Sequence, residues 1–236
     1  MPGIVVPGTA SAPALRAHLA VPPVGSGPWP GVVVLHELLG LNDDVRQHAE
    51  RLAAAGYLAV APDLFTAGGA VRCRKATCTA LSRGHGPAVD DVLAVRAWLA
   101  GRADCTGSTG VLGFCLGGGF ALLLAARGFD AAAPAYGPLP ADPGRVLDGA
   151  CPVVASYGAR DRGLRGAAGR LVEVLDRLGV EHDVREYPDA GHSFLNRHNL
   201  GPFTALEQVA GLGYHGPSAE DAWARMLRFF DQHLGR

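Results

Sequence analysis

Lysine is almost absent from this chain: all but one of its 21 basic residues are arginine, and Lys75 is the exception. An excess of charge is missing too, since 22 acidic residues leave a formal net charge of −1. A balanced chain lacks the basic footprint of a nucleic-acid-binding protein. The arginine bias reads as the mark of a GC-rich genome. No uninterrupted apolar run approaches the ~18 residues of a membrane span. The five cysteines make an odd count, and residues 1–20 carry no signal-peptide pattern. A disulfide framework is therefore not expected, and a reducing cytoplasm is. Cys73 and Cys78 have zinc-like spacing, but no second Cys or His pair completes four ligands, so no metal is expected. With 48% hydrophobic and 18% charged residues, disorder is excluded.

What the chain has in excess is glycine, 33 of 236 residues, about twice the ~7% background. The length suits one domain over residues 1–236 with a full core. Apolar runs alternate with amphipathic stretches and no repeat divides them. Strands are expected at Gly31–Leu35, Tyr57–Ala61, Thr109–Phe114, Ala131–Tyr136, Pro152–Tyr157 and Asp183–Tyr187. Helices are expected at Asn42–Ala55, Pro87–Ala100, Leu116–Arg127, Leu164–Leu178 and Ala219–Leu234. This alternation implies βαβ units and a mostly parallel sheet with helices on both faces, whose sites gather at the carboxyl ends of strands. Thr66–Gly86, with Arg72, Arg74, Lys75 and Arg83, and Asn196–Pro217, with Arg197, His198 and His215, read as long loops of the kind that form lids or substrate walls.

The most informative stretch is Gly113-Phe114-Cys115-Leu116-Gly117-Gly118-Gly119, where a strand hands over to a helix. It is a G-x-nucleophile-x-G elbow with Cys in place of Ser. Flanking glycines remove the side chains that would clash in the strained turn. The following helix points its first N–H groups at the sulfur and favours thiolate. The Leu116 N–H is placed to donate to an oxyanion. The remaining cysteines lack this setting and read as structural thiols.

On such a scaffold the partners follow in the order acid, then histidine. Asp161 lies just past the strand ending at Tyr157, and His192 just past the strand ending at Tyr187. His192 would pair with the thiol while Asp161 fixes its tautomer. Asp161 also suits the cap of a following helix. Asp183 and Asp189 are rival orienters, although Asp189 sits in a Pro-Asp-Ala-Gly turn and reads as a turn-former. The other eight histidines lack the matching placement. Upstream, the first predicted strand runs into His36-Glu37-Leu38-Leu39-Gly40-Leu41-Asn42, a loop that supplies a second oxyanion donor in this layout, with the Leu38 N–H as candidate. Glu37, a charged group at the end of a buried strand, is placed to take part in proton transfer. Capping a helix or pairing with an arginine would suit it equally.

With these residues in place, the chain resembles the dienelactone hydrolase family of α/β-hydrolases from about Gly31 to its C-terminus. The resemblance rests on Leu35–Asn42, on Gly113–Gly118, on Asp161 and on Gly191-His192-Ser193-Phe194. It implies a Cys115–His192–Asp161 triad, Glu37 holding the resting thiol, and Leu38 and Leu116 as backbone oxyanion donors. It also implies cofactor-free opening of enol-lactones, typically dienelactone during aromatic breakdown, by a carboxymethylenebutenolidase. In that family arginines grip a substrate carboxylate, one of them four residues after the histidine, where this chain has Asn196 followed by Arg197. Arg72, Arg74, Arg83 and Arg197 are the candidate substitutes, and Tyr136 and Ser193 are further candidate substrate contacts.

The leading expectation is thus hydrolysis of a small ester or enol-lactone by a monomer or small homo-oligomer, with no cofactor, no nucleic acid and no membrane. Short-chain esters or thioesters with no lactone role form one alternative. A cysteine peptidase or amidase is another, although papain-like sites do not place their Cys on a glycine-lined elbow, and a glutamine-amidotransferase-like site fits the Asp161 strand end poorly. A non-catalytic binder on the same fold is the third.

Overall fold

A computed structural model describes residues 3–9, 13–66, 68, 70–197 and 213–235, with backbone alone for 70–72. Its strands are β1 (Ile4–Pro7), β2 (Ala14–Ala20), β3 (Trp29–Leu35), β4 (Leu58–Pro62), β5 (Cys105–Phe114), β6 (Ala131–Ala135), β7 (Val153–Gly158) and β8 (His182–Tyr187). They form one sheet in the order β1-β2-β4-β3-β5-β6-β7-β8. The pairs from β4 through β8 are parallel, while β1 and β2 join antiparallel at one edge. The helices are α1 (Asp43–Ala54), α2 (Ala70–Arg83), α3 (Pro87–Ala100), α4 (Leu116–Leu124), α5 (Pro143–Val146), α6 (Ala167–Leu178) and α7 (Gly216–Leu234).

The strand pattern explains the two layers. In β3, Val33 and Leu35 point into a core shared with α3, α4 and α6, and Val32 and Val34 into one shared with α1 and α7. A strand covered on both faces reads as an unbroken apolar run, as β3, β4 and β6 do. Asn42 caps α1 by accepting from the Val45 N–H, with Asp43 and Asp44 in the first turn. Arg225 of α7, fully buried, ties that helix to β7 and β8 through Asp183 at 2.6 Å, the Tyr187 hydroxyl at 3.1 Å and Ser156 Oγ at 3.3 Å. Among the described residues no helix is long and apolar enough to cross a membrane.

Three expectations change. Thr66–Gly86 is mainly the helix α2 rather than a loop. The expected helix from Leu164 to Leu178 starts as a 3₁₀ turn at Arg162–Leu164 and restarts as α6, because Gly166 at φ 72° interrupts it. The edge strands β1 and β2 were not expected. Of the second predicted loop, residues 198–212 with His198 lie outside the described residues, and Gly216 and Pro217 open α7.

The tightest packing surrounds α4. A Cβ on Gly117 would stand 2.3 Å from the Leu35 carbonyl oxygen, and one on Gly118 would stand 2.6 Å from the Ala135 oxygen. Both obstacles are backbone and cannot swing away. Gly118→Ala is therefore expected to cost about 3 kcal/mol in urea unfolding. Gly169→Ala, in α6 where a Cβ meets nothing within 4 Å, should instead gain ~0.5–1 kcal/mol.

Candidate active site

Cys115 is the N-cap of α4, at φ 50° and ψ −112°. Positive φ is costly for a side chain with a Cβ, on the order of 1–3 kcal/mol. Among the described residues three non-glycine positions show it, Cys115, Tyr136 and Ser193. They follow β5, follow β6 and adjoin His192, so the strain gathers at one end of the sheet. The Cys115 N–H bonds the Ala135 oxygen at 3.1 Å and its carbonyl receives the Gly119 N–H at 3.0 Å, pinning the elbow to β6 and α4. As the first residue of α4, Leu116 has an N–H with no acceptor inside its helix.

Asp161 stands after β7 and is 5% exposed. Its Oδ2 lies 2.6 Å from His192 Nδ1, and its Oδ1 accepts from the Gly163 N–H at 2.9 Å. It thus caps the 3₁₀ turn and orients the imidazole at once. Cys115 acts on the same ring and favours its protonated form. Burial disfavours the charged imidazolium, but the bonds to Asp161 and Cys115 and their charges outweigh it and hold His192 up at about 10. Burial would likewise raise Asp161, yet His192 and the N–H groups of Gly163 and Leu164 keep it below the usual carboxylate range. The rivals are engaged elsewhere: Asp183 holds Arg225, and Asp189 holds Arg160 at 2.7 Å.

Glu37 is buried behind the elbow at 4% exposure. Its Oε2 accepts from Asn196 Nδ2 at 3.0 Å and lies 3.5 Å from Ser193 Oγ. The Asn196 oxygen in turn receives His48 Nε2 at 2.8 Å. His48 stacks on Phe114 at 4.4 Å, beside Trp223 at 5.4 Å, and burial pushes it below its ordinary value, toward the neutral ring. His36 fixes the backbone of the same loop. Its Nε2 accepts from the Leu64 N–H at 3.0 Å, so its Nδ1 donates to the Glu37 carbonyl at 2.7 Å.

Other predicted contacts fall around this centre rather than in it. Tyr136 is buried with its ring 5.2 Å from His192, and its hydroxyl has no partner among the described residues. Burial, then the charges of Glu37 and Cys115, push it well above the usual phenol value. Ser193 turns to Glu37. Arg197 turns outward, 2.8 Å from the Tyr214 hydroxyl and stacked on its ring at 4.2 Å. Arg83 is exposed at the end of α2, and the Arg72 side chain lies outside the described residues. Beside Cys115 opens a cavity of about 460 Å³ lined by Leu38, Leu116, by Cys78, Leu81 and Ser82 of α2, and by residues 138–141. Cys78, expected as a structural thiol, is exposed on that wall. Asn196 and His48 had no local signal as a pair, being 148 positions apart.

A mostly parallel sheet with helices on both faces and a Cys-bearing strand–helix elbow define an α/β-hydrolase. Pyrococcus horikoshii acylaminoacyl peptidase shares that fold, with a TM-score of 0.73 at 13% identity over 99% of this chain and 41% of its own. The dienelactone hydrolase family pattern matches residues 15–234, and the chain belongs to that family. A carboxymethylenebutenolidase of Rhodococcus opacus is 32% identical over 97% of this chain and 89% of its own. An Escherichia coli K12 protein provisionally given the same name is 30% identical over 94% and 84%. The solved dienelactone hydrolase-like promiscuous phosphotriesterase from metagenomic libraries superposes with a TM-score of 0.78, at 25% identity and 99% coverage of both chains. The protein is accordingly a carboxylic ester hydrolase of the dienelactone hydrolase kind.

Two expectations follow from this geometry. His192 binds its proton more tightly in the folded chain, at about 10 against 6.5 for the free ring. Its stabilisation is complete below pH 6.5 and is lost as the pH rises toward 10. In calorimetry the Tm gap between the native protein and His192→Gln should narrow across that window, and a constant gap would refute the pairing. Asn196→Leu takes a donor from buried Glu37 and an acceptor from His48, and should cost about 3 kcal/mol in urea unfolding.

Proposed function

We propose that the chain hydrolyses a small ester or enol-lactone through an acyl-thioester on Cys115. The observation that carries this reading is the hydrogen-bonded pair Asp161–His192 with Cys115 acting on the same ring, all on strand ends, and Cys115 lining the 460 Å³ cavity. Because His192 retains its proton to about 10, the ring enters the reaction carrying the proton that the leaving oxygen will need.

The thiolate attacks the carbonyl carbon, forming the C–S bond, and the Leu38 and Leu116 N–H groups receive the oxyanion. Collapse breaks the C–O bond, and the leaving oxygen takes the His192 proton. Neutral His192 then removes a proton from water, which attacks the thioester. The second collapse breaks the C–S bond, frees the acid and restores thiolate and imidazolium. Asp161 keeps the ring in one tautomer throughout. Glu37, held by Asn196, assists the thiol whenever it is protonated. No cofactor enters the sequence. All five cysteines are free thiols, which supports action in a reducing cytoplasm.

Cys115→Ala should lower kcat for an activated aryl ester by about 10⁴-fold or more. Intact-mass measurement of native protein quenched during turnover should reveal one added acyl group, located on Cys115. Undiminished turnover by Cys115→Ala, or an adduct on another residue, would overturn the assignment.

A further inference from the structure

The cavity beside Cys115 is walled by Leu38, Leu81, Leu116 and the Pro138–Ala141 segment, with Cys78 and Ser82 as its other members. No charged side chain lines it among the described residues. Arg74 lies one turn before Cys78 on α2; its half-buried side chain is not among the lining residues, and its Nε is buried with no hydrogen-bond partner among the described residues. Arg197 faces Tyr214 and Arg83 faces solvent. A volume of 460 Å³ is in the ~300–1,000 Å³ range of small-ligand pockets. An apolar wall rewards each methylene it covers, whereas an anion placed against it loses water and gains no partner.

We infer that this site takes uncharged esters bearing a hydrophobic group, and rejects those whose acyl group ends in a carboxylate. The inference rests on the proposed hydrolysis at Cys115 and names the class of substrate that the reaction uses. Hydrophobic groups of medium length are favoured until the cavity is full.

Two near-isosteric activated esters test it: 4-nitrophenyl 5-methylhexanoate and 4-nitrophenyl hydrogen glutarate, compared in kcat/KM on the native protein. The neutral ester is expected to win by about a hundredfold. From butyrate to octanoate, kcat/KM should rise about three- to fourfold per methylene. Ala141→Arg puts a guanidinium on the wall from an exposed position and should shift the neutral-to-anionic ratio at least tenfold toward the glutarate ester. Arg74→Gln should leave that ratio within twofold of native. Equal use of both esters by the native protein, or selective loss of the glutarate ester in Arg74→Gln, would overturn the inference. Binding to Cys115→Ala separates this outcome from failure of the catalytic reading. If no ester is turned over, hydrolysis at Cys115 falls, yet heptan-2-one should still raise Tm more than 6-oxoheptanoate does. The reverse order would sink the apolar site as well.

Discussion

The contact on which the site depends is the approach of the first turn of α4 to the backbones of β3 and β6. At Gly117 and Gly118 the chains come closer than any Cβ permits. With the helix seated this deep, the connection from β5 has one residue in which to turn, and Cys115 takes it at φ 50°. The strained conformation is held because the Ala135 oxygen and the Gly119 N–H pin both sides of Cys115. The result is a sulfur at the N-terminus of a helix, the end where unpaired N–H groups and the positive end of the dipole favour an anion.

Two carboxyl groups belong to the same site, and different partners hold each of them. Asp161 is paired with an imidazole that carries a proton at neutral pH. Glu37 is bound by the amide of Asn196, which is backed by a neutral histidine pressed between Phe114 and Trp223. One carboxylate is therefore matched by a protonated ring, and the other accepts from a neutral amide. Loss of either partner leaves a buried polar group short of a hydrogen bond, so the two arms help fix the loop after β3 and the segment after β8.

The elbow, Asp161 and His192 were legible in the sequence because each is marked locally: glycines crowd one position, and a turn residue follows an apolar run. Strands β3 to β8 were legible for the same reason, being buried on both faces or bounded by turns. Helix α2 was not, because Arg72, Arg74 and Lys75 in its first turns imitate a solvated loop. Strands β1 and β2 lie at an edge, in a segment rich in Pro, Gly and Ser, where one-sided burial blurs the pattern. The His48–Asn196–Glu37 series joins three distant segments, and pairing across such a separation leaves no periodic trace. The outward turn of Arg197 depends on Tyr214, which the sequence places 17 residues away with no sign that the two meet.

Position 196 shows what a neutral side chain does beside a buried carboxyl group. An arginine there would place five donors and a full positive charge beside Glu37. Asparagine has one amide nitrogen and one oxygen, and both are committed, to Glu37 and to His48. The next residue cannot substitute, since Arg197 points away from the site toward Tyr214 and Glu220. A carboxylate entering the cavity would meet leucine and proline and no cation among the lining residues. The same asparagine thus fixes the inner carboxylate and the buried His48 together without bringing a charge of its own to the site.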